Sequence, residues 1–171
     1  MLLSLFQLFF SIKHGHIKHS HINLRKKRLR RKAIKGLQIT RETDYAIRTI
    51  LYLAGREFYT AKAEDISRDM QIPKSFLIKI LKQLEKAGLL KLKRGVSGGV
   101  SLKKKPEDIT LYDVIVAMEK TVALNRCVIN KNACGFVNHC PVHPVWFKVR
   151  ERLIQALKDI NFSGLLTQGV A

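Results

Sequence analysis

The stretch Ile72 to Leu102, IPKSFLIKILKQLEKAGLLKLKRGVSGGVSL, decides the fold of this chain. Leu77, Ile80, Leu81 and Leu84 recur at i, i+3, i+4 and i+7, which lays one apolar stripe along a helix. Ser75, Lys79 and Lys82 fall on the opposite face with Lys74 and Lys86 beside them, so that side carries donors and positive charge. Pro73 suits a first turn, where its missing N–H would have no partner anyway. Ala87-Gly88 ends the helix, because glycine enters the left-handed region cheaply. Leu89 to Arg94 then lead into Gly95-Val96-Ser97-Gly98-Gly99 and a second short run, Val100-Ser101-Leu102. Gly98-Gly99 reads as the turn of a hairpin, since glycine supplies positive φ without a clash. A basic helix backed by a basic hairpin offers a duplex two prongs. The helix fits a major groove about 12 Å wide, and Arg94 with the wing reaches phosphates or the neighbouring minor groove.

Working outward, Ile39, Ala46, Ile47, Ile50, Leu51 and Ala54 form another helical stripe, with Thr40 or Thr43 placed to cap it and Gly55 to end it. Ala63 to Met70 is a short second helix with Ile66 inward, and Gln71-Ile72 turns into the basic helix. Three helices and a hairpin give the expected fold class, mainly α with a small β-wing: a winged helix-turn-helix read by its third helix. Beyond the wing, Pro106 opens a new element, and Thr110 caps a helix with Leu111, Val114, Ile115 and Met118 on one face. A last helix, from about Pro144 to Ile160, repeats Trp146, Val149, Leu153, Ala156, Leu157 and Ile160 at heptad-like spacing. Such a helix behind a DNA-binding unit most simply pairs with its own copy. The resulting homodimer would meet half-sites roughly 34 to 36 Å apart, or a multiple of that.

Charge points the same way. The 171 residues hold 32 Lys or Arg against 13 Asp or Glu, a net +19, which favours a polyanionic partner. Residues 1–36 differ from the rest. An apolar run from Leu2 to Ile12 falls short of the roughly 18 to 20 residues that span a bilayer, and the basic block follows the run instead of preceding it, the reverse of a secretory signal. This extension reads as a disordered basic arm, a weak interfacial anchor or translated sequence ahead of a mis-set start. Without it the chain still has 22 basic and 13 acidic residues. The expected organisation is therefore 1–36 extension, 37–105 DNA-binding unit, and 106–171 helix, cysteine loop and dimerisation helix.

Cys127, Cys134 and Cys140 stand as C-x6-C-x5-C in a polar loop that also holds Gly135, with His143 closing the run. An odd number of cysteines fits a disulfide framework poorly and an intracellular metal or redox site better. Thiolates are soft ligands suited to iron-sulfur clusters and zinc, and Arg126 and Lys131 would help keep them deprotonated. The spacing is wider than a zinc knuckle and leans toward iron-sulfur. A zinc-stapled winged helix that binds DNA or RNA without sensing is the alternative. An enzyme is not expected: the chain has no phosphate-cradling glycine loop, and no nucleophile with a nearby base is evident. Neither a small-molecule substrate nor a membrane partner is expected.

These residues together resemble the Rrf-two family of winged-helix regulators. The likeness runs from Leu37 to about Leu166. It is carried by Ile39-Thr40 with Thr43-Asp44-Tyr45-Ala46, by Ile80-Leu81 through Leu84 to Ala87-Gly88-Leu89, and by Arg94-Gly95 with Gly98-Gly99. Leu102, Pro106, Ile109, Val114-Ile115 and the cysteine trio complete it. The resemblance implies a cytoplasmic bacterial homodimer that binds operator DNA under control of an iron-sulfur cluster. Ser75 and Lys79 would face the major groove and Arg94 the minor groove. Cys127, Cys134 and Cys140 would be the cluster thiolates. His143 corresponds to the fourth ligand of a two-iron cluster in one branch, and Asp44 to the fourth ligand of a four-iron cluster in another, where it reaches from the partner subunit. Both are present, so the cluster type stays open.

Overall fold

The computed structural model describes residues 39–93, 95 and 98–167. The expectations for residues 1–36 and for Arg94 lie outside the described residues.

Thr40 starts the first helix by accepting the Thr43 N–H on its side chain, and α1 runs Arg41–Ala54. Its stripe is Ala46, Ile50 and Leu53, all fully buried. Ile39 precedes the helix and is exposed, so it is not part of that stripe. After α1 the chain makes a 3-10 turn over Glu57–Tyr59 and a two-residue strand, β1, Thr60–Ala61. Helix α2, Ala63–Asp69, buries Ile66. The turn that follows needs positive φ at Gln71, and it is held by Ser67, whose carbonyl accepts the Ile72 N–H at 3.0 Å while its hydroxyl donates to the Ile72 carbonyl at 2.8 Å.

Helix α3, Lys74–Lys86, begins just after Pro73 and buries Leu77, Ile80, Leu81 and Leu84. Its end is closed by Gly88 at φ +76, with Leu89 N–H donating to the Leu84 carbonyl and Gly88 N–H to the Glu85 carbonyl. That pair of bonds satisfies carbonyls that a helix end would otherwise leave open.

The wing is an antiparallel pair, β2 (Leu90–Lys93) and β3 (Gly99–Leu102), with Lys93 opposite Gly99. Two details differ from the sequence reading. The reversal is made by Gly95, at φ +104, whose carbonyl accepts the Gly98 N–H at 2.9 Å. Gly99 belongs to the strand, and glycine suits it for another reason: a Cβ would stand 3.1 Å from the Ala61 carbonyl oxygen, a tight contact. That close approach exists because β1 pairs with the free edge of β3, making a three-stranded sheet in the order β1-β3-β2.

Past the wing, Thr110 and Asp113 form a reciprocal capping box at the start of α4, Leu111–Glu119. Helix α5, His143–Lys158, follows the cysteine loop, and α6, Phe162–Thr167, follows α5. The chain around Phe162 returns to the head: Phe162 N–H donates to the Ile109 carbonyl and Leu111 N–H to the Ile160 carbonyl. Phe162, Ile109 and Val114 are fully buried in the same core as Ile50, Leu53, Ile66 and Leu84. Burying a side chain of that size contributes about 2 kcal/mol. A smaller cluster of Ile115, Val122 and Ile154 seats α5 on α4, with Leu153 and Leu157 half-buried against it. The stripe expected on α5 thus splits, because its buried anchor is Ile154 and both Val149 and Ile160 face outward.

Candidate nucleic-acid interface and cysteine loop

Once Leu77, Ile80, Leu81 and Leu84 turn inward, the opposite face of α3 must face solvent. Ser75, Lys79 and Lys82 are exposed there, and Ile78 lies among them. The wing is pinned to this helix from below. Glu85, the one acid on α3, accepts the Leu92 N–H on its carboxylate at 3.1 Å, and Lys103 N–H donates to the Leu89 carbonyl. Helix and wing therefore move as one piece, and Glu85 is drawn toward the wing's base.

Between them runs a groove of about 430 Å³, lined by Ile78, Leu81 and Lys82 of α3, by Leu92, Lys93, Gly98 and Gly99 of the wing, and by Lys62 and Glu64 at the start of α2. Gly98 and Gly99 line this groove and make no turn of their own. Lys62 was not legible as an interface residue. Only the β1–β3 pairing brings it beside Lys93, and a two-residue strand leaves no periodic signal.

The head is also braced by a polar cluster that joins α1 to α2. Tyr52 donates to Asp69 Oδ2 at 2.7 Å, Arg56 donates to the Tyr52 hydroxyl at 2.6 Å, and Arg68 bridges Asp69 and Asp65. The Tyr52 hydroxyl and the Arg68 guanidinium hold the Asp69 carboxyl below the ordinary carboxylate range. Donating to that carboxylate raises the Tyr52 hydroxyl above its usual value.

The cysteine loop is built from three single 3-10 turns, Arg126–Val128, Lys131–Ala133 and Val137–His139. Asparagine starts two of them, Asn125 accepting from Arg126 N–H and Asn130 from Asn132 N–H. Cys127 lies in the first turn, Cys134 follows the second and Cys140 the third. None forms a disulfide, and Cys134 is exposed while the other two are half-buried. Among the described residues no three Cys, His, Asp or Glu side chains gather closely enough to hold a metal ion. The expected convergence of the thiols is therefore not preformed in the single chain, because each sits on its own turn.

In chemistry the donor set fits an iron-sulfur cluster: three accessible thiols and an imidazole at the end of the same loop. His143 Nε2 lies 3.2 Å from the Cys127 carbonyl. A carbonyl only accepts, so this nitrogen carries the hydrogen and leaves Nδ1 as the ring's lone-pair donor. Asp44, the other candidate, forms an ion pair with Arg48 at 2.8 Å on the exposed side of α1.

The segment leading into the loop is tied down at two points. At its start, Glu119 accepts from Thr43 Oγ1 at 2.6 Å and from Thr40 N–H at 3.0 Å, both at the beginning of α1. Beyond it, Lys120 turns the chain at φ +68, and Arg150 of α5 donates to the Val122 carbonyl at 2.8 Å.

A donor-bearing helix presented after a tight turn and locked to a three-stranded wing defines a winged helix-turn-helix DNA-binding regulator. The profile of the Rrf2 family, described as iron-dependent transcriptional regulator, matches residues 39–168. The chain belongs to this family and is a transcription regulator, not an enzyme. It is similar to the transcriptional regulator IscR of Klebsiella pneumoniae strain 342, 30% identical over 131 residues that cover 76% of this chain and 80% of that one. It is also similar to the regulator NsrR of Shouchella clausii, 27% identical over 76% of this chain and 89% of the relative. Among solved structures, CymR, the global cysteine regulator of B. subtilis, shares the fold at a TM-score of 0.61 and 20% identity, covering 77% of this chain and 98% of CymR. No helix among the described residues is long and apolar enough to cross a membrane.

Proposed function

We propose that this regulator is a cytoplasmic homodimer that reads operator DNA with α3 and the wing, and that its cysteine loop carries an iron-sulfur cluster through which DNA binding is controlled. The observation that carries the reading is the exposed α3 face of Ser75, Lys79 and Lys82 beside a wing fixed to the same helix by Glu85. Ser75 and Lys79 contact base edges in the major groove, and Lys82, Lys62 and Lys93 neutralise phosphates on either side. Arg94 is assigned the minor groove on the family resemblance alone.

Dimerisation is assigned to α5. Only Ile154 of this helix is buried within the chain, and Val142, Val145 and Val149 remain exposed around its first turns. A partner copy would cover them.

For the cluster, the support is the donor set and the family's iron dependence. Cys127, Cys134 and Cys140 would hold it. Of the two candidates for the fourth position, His143 is favoured, since its hydrogen bond uses Nε2 and no Nδ1 partner is found among the described residues, whereas Asp44 would first have to leave Arg48. When bound, the cluster supplies chemistry that responds to oxidants, nitric oxide or iron-sulfur status. The chain's own part is to carry loop position to the heads, through Glu119 to the start of α1 and through Arg150 to α5. A coupling of about 1 to 3 kcal/mol would change operator affinity roughly 5-fold to 150-fold.

Protein purified without oxygen tests this directly through its visible absorption and its content of iron, sulfide and zinc. Iron and sulfide in equal amounts, lost in Cys134→Ala together with the response of DNA binding to oxidant, are the expected result. One zinc per chain and no sulfide would make the loop a structural staple and remove the sensing role. The DNA reading is tested separately by a salt titration, in which Lys82→Ala should lower the slope by about one phosphate contact.

A further inference from the structure

We propose that Ile78 reads the 5-methyl group of thymine in the major groove, and so sets a thymine preference at one position of each half-site. This rests on the assignment of α3 as the reading helix. A single exposed isoleucine is ordinary on a protein surface. What distinguishes this one is its surroundings. Ile78 is 54% exposed, yet on the helix it is enclosed by Ser75 one turn before it, Lys79 next to it and Lys82 one turn after it. All three are donors, and Ile78 is the one side chain of that face with nothing to donate or accept.

The core does not account for it. Leu77, Ile80, Leu81 and Leu84 fill the buried stripe at 5% exposure or less, and residue 78 lies about 60° round the helix from residue 81, outside the stripe at its margin. Phe76, the other exposed apolar residue of α3, has a partner, an edge-to-face contact with Tyr45 at 6.3 Å between ring centres. Ile78 instead lines the groove with Leu81 and Leu92, among Lys62, Lys82 and Lys93 and a single acid, Glu64. Such a groove presents ammonium groups for phosphates around an apolar centre.

Among the groups that the base pairs present in the major groove, the thymine methyl is the apolar one large enough to fill a side-chain contact, since cytosine carries only a hydrogen at the same carbon. A branched aliphatic side chain set among donors matches that methyl and buries less apolar surface against cytosine. The minor groove carries no such mark, so the inference also fixes which groove this face enters.

The test uses the full chain. Binding sites are first selected from random duplex DNA by the parent protein, and each thymine of the selected site is then replaced singly by deoxyuridine, which lacks only the methyl. The expected result is one position per half-site where the parent binds about fourfold more weakly, the factor that burying one methyl supplies. At that position Ile78→Ala should bind the two duplexes equally, with its thermal midpoint and salt dependence unchanged, while Phe76→Ala keeps the parent's discrimination. If a sequence is enriched but no position shows methyl dependence that vanishes in Ile78→Ala, the inference is overturned and α3 remains the reader. If no sequence is enriched at all, the operator-reading assignment itself fails and takes this inference with it.

Discussion

The Thr43 hydroxyl and the Glu119 carboxylate, 76 residues apart in the chain, are joined by a 2.6 Å hydrogen bond that ties the beginning of α1 to the end of α4. Thr43 is fully buried, while Glu119 keeps partial exposure, so the bond sits at the edge of the core. Replacing Thr43 with valine keeps the shape and removes the donor. The expected loss is about 1 to 3 kcal/mol, measured as a lower urea midpoint with an unchanged slope, and Thr43→Ser should recover most of it. A valine variant as stable as the parent would mean that the bond adds nothing net.

Phe58 and Tyr59 both sit at positive φ, 54° and 52°, and Phe58 is 82% exposed. The backbone there is one that side chains with a Cβ enter at a cost, while the phenyl ring gains little by burial. Phe58→Gly should therefore raise stability by about 0.5 to 1 kcal/mol. A drop in the thermal midpoint would show that the ring is anchored.

Gly99 and Gly135 predict opposite outcomes for the same substitution. A methyl at 99 meets the Ala61 carbonyl at 3.1 Å, whereas nothing lies within 4 Å of a methyl at 135. Gly99→Ala should cost about 1 kcal/mol or more by crowding β1 off the wing, and DNA affinity should fall with it. Gly135→Ala should leave stability unchanged. Paired unfolding curves and gel shifts on the two variants separate the cases.

Acid should loosen the brace between α1 and α2. The Tyr52 hydroxyl, and then Arg68, hold the Asp69 carboxyl below its ordinary value. A carboxyl depressed in the folded state contributes stability above its unfolded value and loses it as pH falls through the folded one. Unfolding measured over a pH series should therefore show stability declining below the usual carboxylate range. Tyr52→Phe should decline less over that window. An identical slope for the two proteins would remove Asp69 from the account.

Much of this fold could be read from periodicity and punctuation. The stripe from Leu77 to Leu84 gave α3, and Thr40, Thr110 and Gly88 marked helix ends through their capping chemistry. What escaped was set by contacts between distant segments. Two residues of β1 are too short for an alternating pattern, and so the reason for glycine at 99 was hidden. Phe162 begins a helix of six residues, and only its pairing with Ile109 makes it core. At the candidate site, Ser75, Lys79 and Lys82 followed from helical geometry. Lys62 and the fixing role of Glu85 did not, because both depend on where the wing folds back. The cysteine spacing led to the expectation of a ligand set, but spacing cannot show that the three cysteines fall on three separate turns.

Phe162 also constrains the order in which this protein can mature. A chain leaving the ribosome exposes α1, α2, α3 and the wing first, yet their shared core lacks its aromatic plug until residue 162 has been made. By then residues 127 to 143 have already been made. Since domains form largely as units during synthesis, a nascent head cannot complete its packing before the cysteine loop exists. The core of the head closes only in a chain that already carries Cys127, Cys134 and Cys140.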